Sequence, residues 1–263
     1  MNMKIIQTEN KLGESPLWNH MNQTLYWVDI DGYKIKHYHD ETGIIEHKMD
    51  KKPTCLALID ESKMMVALQD GIGIYDYRMN SYHYLSKIDD KNVRLNDGKC
   101  SKDGVLYIGS MCKNDPKQPI GSIYKYQNQC LEEVIPSIGI SNGIAFNSEN
   151  QMYYADSFRK TIFNEYSVPI HTYKNSCPDG ATFDANDQYY SCLWEGYGID
   201  MFQEKTKVEH IELPCKYTTC CCFGGEHMNK MFVSSAYNNS NDNGKIYVLN
   251  SDQKGVEEPI FVY

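Results

Sequence analysis

Short apolar and aromatic runs, not long amphipathic stretches, organise this chain. They begin at Leu25 (LYWVDI), Met64 (MMVALQ), Leu106 (LYIGSM), Met152 (MYYADS), Tyr189 (YYSCLW) and Met231 (MFVSSA). Their first residues are 39, 42, 46, 37 and 42 positions apart, with turn-forming segments such as HMNQ, DESK, SKDG, NSEN and ANDQ close by. Apolar runs of about six residues punctuated in this way predict strands, and a repeat of about forty residues accommodates four antiparallel ones. One such sheet cannot bury both of its faces. Six of them stacked around an axis cover one another, so the pattern predicts an all-β, six-bladed β-propeller occupying residues 1–263 as one domain. The N-terminal KIIQ segment is expected to close the last blade by pairing with strands around GKIYVL and PIFVY. A β-sandwich is the competing architecture, but it does not call for six equivalent phrases.

Equivalent blades put equivalent positions at equivalent places. Counting back ten residues from each run gives Thr54, Asn96, Asn142, Asp179 and Cys221, and counting back eleven in the first gives Glu14. All but Cys221 carry a side-chain oxygen. Innermost strands surround the central channel of a propeller, so one register of six blades becomes one ring around the axis. The segments SNGIAF and PDGATF show the same phrase with Asn142 exchanged for Asp179. Each alone reads as a turn, but a glutamate, an aspartate and two asparagines aimed at one axis would cost several kcal/mol unless something binds them.

A hard divalent cation suits such a ring. Two carboxylates offset its charge, an amide oxygen adds a third donor, and positions stay open for water and a substrate oxygen. The oxygen set fits Ca²⁺, Mg²⁺ or Mn²⁺, and Zn²⁺ less naturally. None of the eight His falls in this register, which disfavours a His-rich transition-metal site or a His general base. Arg94, two residues before Asn96, is expected on the same side of its strand, where a guanidinium either forks onto ligand oxygens or pairs with a ring acid. Trp18 and Trp194 read as blade packing, although the WEGYG loop at 194–198 could edge the pocket.

A net charge of −9 and the lack of a basic run argue against a nucleic-acid partner. No segment has the length or apolarity of a membrane span, and the N-terminus lacks a secretory core, so a cytoplasmic location is expected. Ten Cys in a chain of this length without an export signal are expected as reduced thiols. There is no CxxC pair, and the consecutive Cys220, Cys221 and Cys222 cannot all face one ion from a strand.

Five motifs in order, LGESPLW (12–18), RLNDGKCSKDGVLYIGSM (94–111), GISNGIAF (139–146), PDGATFDANDQYYSCLW (178–194) and TCCCFGG (219–225), resemble the regucalcin/gluconolactonase family, also called senescence marker protein. The resemblance runs over nearly the whole chain. It implies a six-bladed propeller with one divalent metal in the channel, hydrolysing sugar lactones to aldonic acids. It further implies Glu14, Asn142 and Asp179 as metal ligands, with Asp179 also the catalytic base, and Arg94 and Asn96 as substrate-binding residues. Asn114 stands near where some members carry an acidic substrate-binding residue, which leaves the choice of sugar open. Thr218 replaces a proline that usually precedes the last inner-strand Thr. The alternatives are a phosphotriesterase-like, metal-dependent hydrolase on the same ring, and a non-catalytic calcium-binding or interaction propeller. The sequence is silent on oligomeric state.

Overall fold

In the computed structural model, residues 3–237 and 244–263 are described, and every regular element among them is a β-strand. The strands form six four-stranded antiparallel sheets, arranged as a six-bladed β-propeller. The innermost strands are Gly13–Asn19, Pro53–Leu58, Val93–Cys100, Ser141–Phe146, Cys177–Phe183 and Thr218–Gly224. The six apolar runs of the sequence are the second strands, for example Thr24–Asp29 in blade 1 and Lys230–Ser235 in blade 6. Second strands are apolar on both faces because a blade lies against each side of them. The outermost strands are polar: Cys130–Ile138 and Thr206–Glu212 are mostly exposed and carry charges that discourage edge pairing.

Six apolar clusters account for the core, one at each blade interface. Strand alternation divides side chains between neighbours. Cys221 packs towards blade 5 with Tyr190 and Cys192, whereas Cys222 packs towards blade 1 with Trp18 and Trp27. Trp18 stacks on Phe232 across the junction of blades 6 and 1, with ring centroids 5.4 Å apart. Cys55, Cys100, Cys112, Cys130, Cys177, Cys192, Cys220, Cys221 and Cys222 are free thiols.

Met3–Ile6 closes the ring as the fourth strand of blade 6, pairing antiparallel with Ile246–Asn250 from Met3 opposite Leu249 to Ile6 opposite Ile246. The expected role of PIFVY in that closure is not found. Residues 251–263 instead cross the end of the channel where the inner strands finish. Lys254 O accepts from Ala185 N of blade 5, Gly255 N donates to Met228 O of blade 6, and Phe261 N donates to Leu58 O of blade 2 at 2.7 Å. Phe261, 2% exposed, enters the apolar cluster between blades 2 and 3.

All six inner strands also carry a register irregularity near their beginnings. It falls after Glu14, Pro53, Leu95, Asn142, Pro178 and Thr218. A bulge breaks the alternation of a strand and re-aims side chains. Repeated in every blade, it turns a row of short polar side chains towards the axis at one level.

Candidate metal centre

At that level Asn96, Asp97, Asn142 and Asp179 are buried, and Glu14 and Arg94 keep part of their surface accessible. Arg94 Nη1 donates to Asn96 Oδ1 at 2.8 Å and to Leu95 O at 3.0 Å. Asn96 Nδ2 donates to Asn142 Oδ1 at 2.7 Å and to Ser141 O at 3.0 Å. Asn142 Nδ2 then donates to Ser157 Oγ at 2.8 Å, and Ser157 Oγ to Pro178 O at 2.6 Å. The chain of bonds runs from blade 3 through blade 4 to the residue before Asp179. It fixes the amide of Asn142 with its oxygen on the Asn96 side, where a second lone pair remains.

The acids have fewer partners. Glu14 Oε2 accepts from Ser15 N at 3.2 Å. Burial, followed by the charges of Asp179 and Asp97, pushes Glu14 well above the usual carboxylate range. Burial and the charge of Asp97 do the same to Asp179, against one backbone donor at Gly180. Burial raises Asp97 to about 6 although Ile144 N donates to its Oδ2 at 3.2 Å. Burial lowers Arg94 from its ordinary value, and the nearby acids Asp31 and Glu14 oppose that. Three carboxylates facing one another with a single guanidinium are short of positive charge.

The structure therefore brings together Glu14, Arg94, Asn96, Asn142 and Asp179, the residues picked out in the sequence. It replaces one member of the counted ring and adds another. Cys221 lies in the core between blades 5 and 6, and Cys220 takes the position near the axis, where its Sγ would lie 2.4 Å from a Cβ placed on Gly180. Asp97, missed by counting in tens, joins the group because the bulge spans both Asn96 and Asp97. Its acidic type beside Asn96 in RLND was the available signal. Thr54 of blade 2 is 1% exposed with no partner for Oγ1. Trp194, half-buried, meets the ring of Tyr217 edge-on at 4.6 Å. Asn114 is exposed, and the adjacent acid Asp115 accepts from Lys117 N at 3.0 Å.

Among the described residues no three His, Cys, Asp or Glu side chains assemble into a metal-holding group. The candidate set is of a different make-up, two carboxylates and one amide oxygen. Its repelling, desolvated acids fit a hard divalent cation, which prefers oxygen donors of this kind.

Comparison with known proteins agrees in extent with this architecture. The family model described as SMP-30/Gluconolactonase/LRE-like region matches residues 12–237. A Bacillus subtilis (strain 168) protein, provisionally named a sugar lactone lactonase, is 30% identical over 250 residues, covering 87% of this chain and 85% of its own. The L-arabinolactonase of Azospirillum brasilense is 24% identical, with 88% of this chain and 83% of its own covered. In fold, the chain resembles the crystal structure of regucalcin, a calcium-binding protein of Agrobacterium tumefaciens, with TM-score 0.90, 23% identity and coverage of 98% and 97%.

Proposed function

Since the chain belongs to the SMP-30/gluconolactonase/LRE-like family, we propose that it is a metal-dependent lactonase that opens sugar lactones to aldonic acids at the polar ring. The observation that carries this reading is the convergence of Glu14, Asp179 and the oriented amide of Asn142 on one channel, with too little positive charge to balance the acids. The names of the Bacillus and Azospirillum relatives support the substrate class. Glu14, Asn142 and Asp179 would hold one divalent cation, of the Ca²⁺, Mg²⁺, Mn²⁺ or Zn²⁺ type. Bound there, it supplies positive charge that polarises a lactone carbonyl and eases proton loss from water.

The remaining work falls to the chain itself. Asp179 lies inside the ring and accepts the proton of the attacking water. Nη1 of Arg94 is engaged with Asn96, so its other N–H groups are the ones left to orient the hydroxyls of a sugar ring. Asn96 uses both its amide donors within the protein, which makes it a positioning group for Asn142 as well as a wall of the substrate site. Closure of the far end of the channel by residues 251–263 leaves the ring approachable from the side where the inner strands begin.

The test is acid release from a panel of aldonolactones by chelator-treated protein, with each of the four cations restored in turn, for wild type and Asp179→Ala. Cation-dependent release that disappears in the variant is the expected outcome. Release at the spontaneous rate in every condition refutes the proposal.

A further inference from the structure

Below the ring the channel narrows to a void of about 10 Å³, walled by residues of all six inner strands, among them Ser15, Leu56, Asp97, Ile144, Ala181 and Cys220. Lys99 lines the same void. It stands two residues beyond Asp97, roughly 7 Å along the strand. Lys99 also borders a larger cavity of about 270 Å³ beneath the crossing segment, and so marks the floor of the channel. Its ammonium pairs with Glu258, a residue of that segment, and the two side chains are only 19% and 9% exposed. Burial works against the charge of Lys99, but the carboxylate of Glu258 outweighs it and raises Lys99 above its ordinary value.

The position of this pair matters because charges along a narrow, poorly solvated channel are weakly screened. Fully ionised, the channel holds four carboxylates (Glu14, Asp97, Asp179 and Glu258) and two cations (Arg94 and Lys99). One divalent ion balances them. Without Glu258, Lys99 would face the ring as an uncompensated positive charge, and Asp97 above it would favour its staying protonated.

We propose that the Lys99–Glu258 pair tunes the affinity of the ring for a divalent cation, with Glu258 cancelling from the floor a charge that would otherwise repel it. The inference rests on reading the ring as a metal centre. Residues 251–263 thereby contribute to the site without touching it, and Lys99 and Glu258 are positioning residues in the electrostatic sense.

The experiment is calorimetric titration of Ca²⁺ and Mn²⁺ into the chelator-treated full chain, comparing wild type, Glu258→Gln, Lys99→Gln and the double variant. Glu258→Gln should weaken binding on the order of tenfold, Lys99→Gln should tighten it, and the double variant should return to within about threefold of wild type. A purely structural role would move both single variants in the same direction, so opposite signs are the discriminating result. Either single variant decides if the other does not fold: unchanged or tighter binding by Glu258→Gln, or unchanged or weaker binding by Lys99→Gln, overturns the inference. Wild type that binds neither ion overturns the metal-centre reading along with it.

Discussion

Asp97 offers a direct test of the electrostatics of the ring. Asp97 is 8% exposed, and burial lifts its carboxyl from 3.8 to about 6. Folding thus works against its ionisation, and the gap is worth about 3 kcal/mol. The folded value exceeds the unfolded one, so the associated stability is fully present below about pH 4 and is lost as pH rises through about 6. Asp97→Asn removes the ionisation but keeps an oxygen that accepts from Ile144 N. In chelator-treated protein the variant should match wild type near pH 4 and exceed it by up to about 3 kcal/mol at pH 8. Urea unfolding followed by tryptophan fluorescence at pH 4, 6 and 8 measures the difference. Parallel pH profiles for the two proteins would refute the reasoning, since they would mean that Asp97 ionises in the fold as freely as in the unfolded chain. Addition of a divalent cation that binds the native ring should flatten the wild-type profile towards that of the variant.

Other consequences are open to simpler assays. Phe261→Ala should cost about 3–5 kcal/mol and expose residues 251–263 to limited proteolysis, because the ring is 2% exposed between blades 2 and 3. Gly180→Ala places a Cβ 2.4 Å from Cβ and Sγ of Cys220; thermal unfolding should register a loss of about 1–3 kcal/mol, partly recovered in Gly180→Ala with Cys220→Ala. A thiol reagent should modify one cysteine rapidly in the native protein, the exposed Cys130, and all ten after denaturation. Rapid native reaction of Cys220 or Cys222 would contradict the packing described.

The propeller was legible because every second strand is buried on both faces, and an apolar run recurs wherever one occurs. The placement of Glu14, Asn142 and Asp179 at one level of the channel was legible for a related reason: equivalent blades repeat one register. The choice between neighbouring residues was not. Counting in tens assumes strict alternation, and the bulges interrupt it at this level, so Cys220 replaces Cys221 and Asp97 accompanies Asn96. The bond from Asn142 to Ser157 and on to Pro178 O was hidden as well, since no residue at the place of Ser157 in the other five runs carries a hydroxyl. The course of residues 251–263 had no signal in periodicity, because a segment that crosses all the blades follows the period of none. Lys99 and Glu258 are far apart in sequence, and only that crossing makes them partners.

The pairing of Met3 with Leu249 brings opposite ends of the sequence together, and this has a bearing on how the protein is made. Met3–Ile6 leaves the ribosome about 240 residues before the strand it needs, Ile246–Asn250. Five sheets can assemble in the order of translation, each from consecutive hairpins. The sixth must wait, and with it the apolar surface of Ile6, Trp18 and Trp27 that packs against Phe232 and Val248. Until Ile246–Asn250 emerges, the nascent protein carries an unpaired strand at Met3–Ile6 and two uncovered blade faces, a state prone to self-association. Slow elongation over blade 6 would prolong that interval, so translation speed there should govern the yield of protein more than speed over the other five blades.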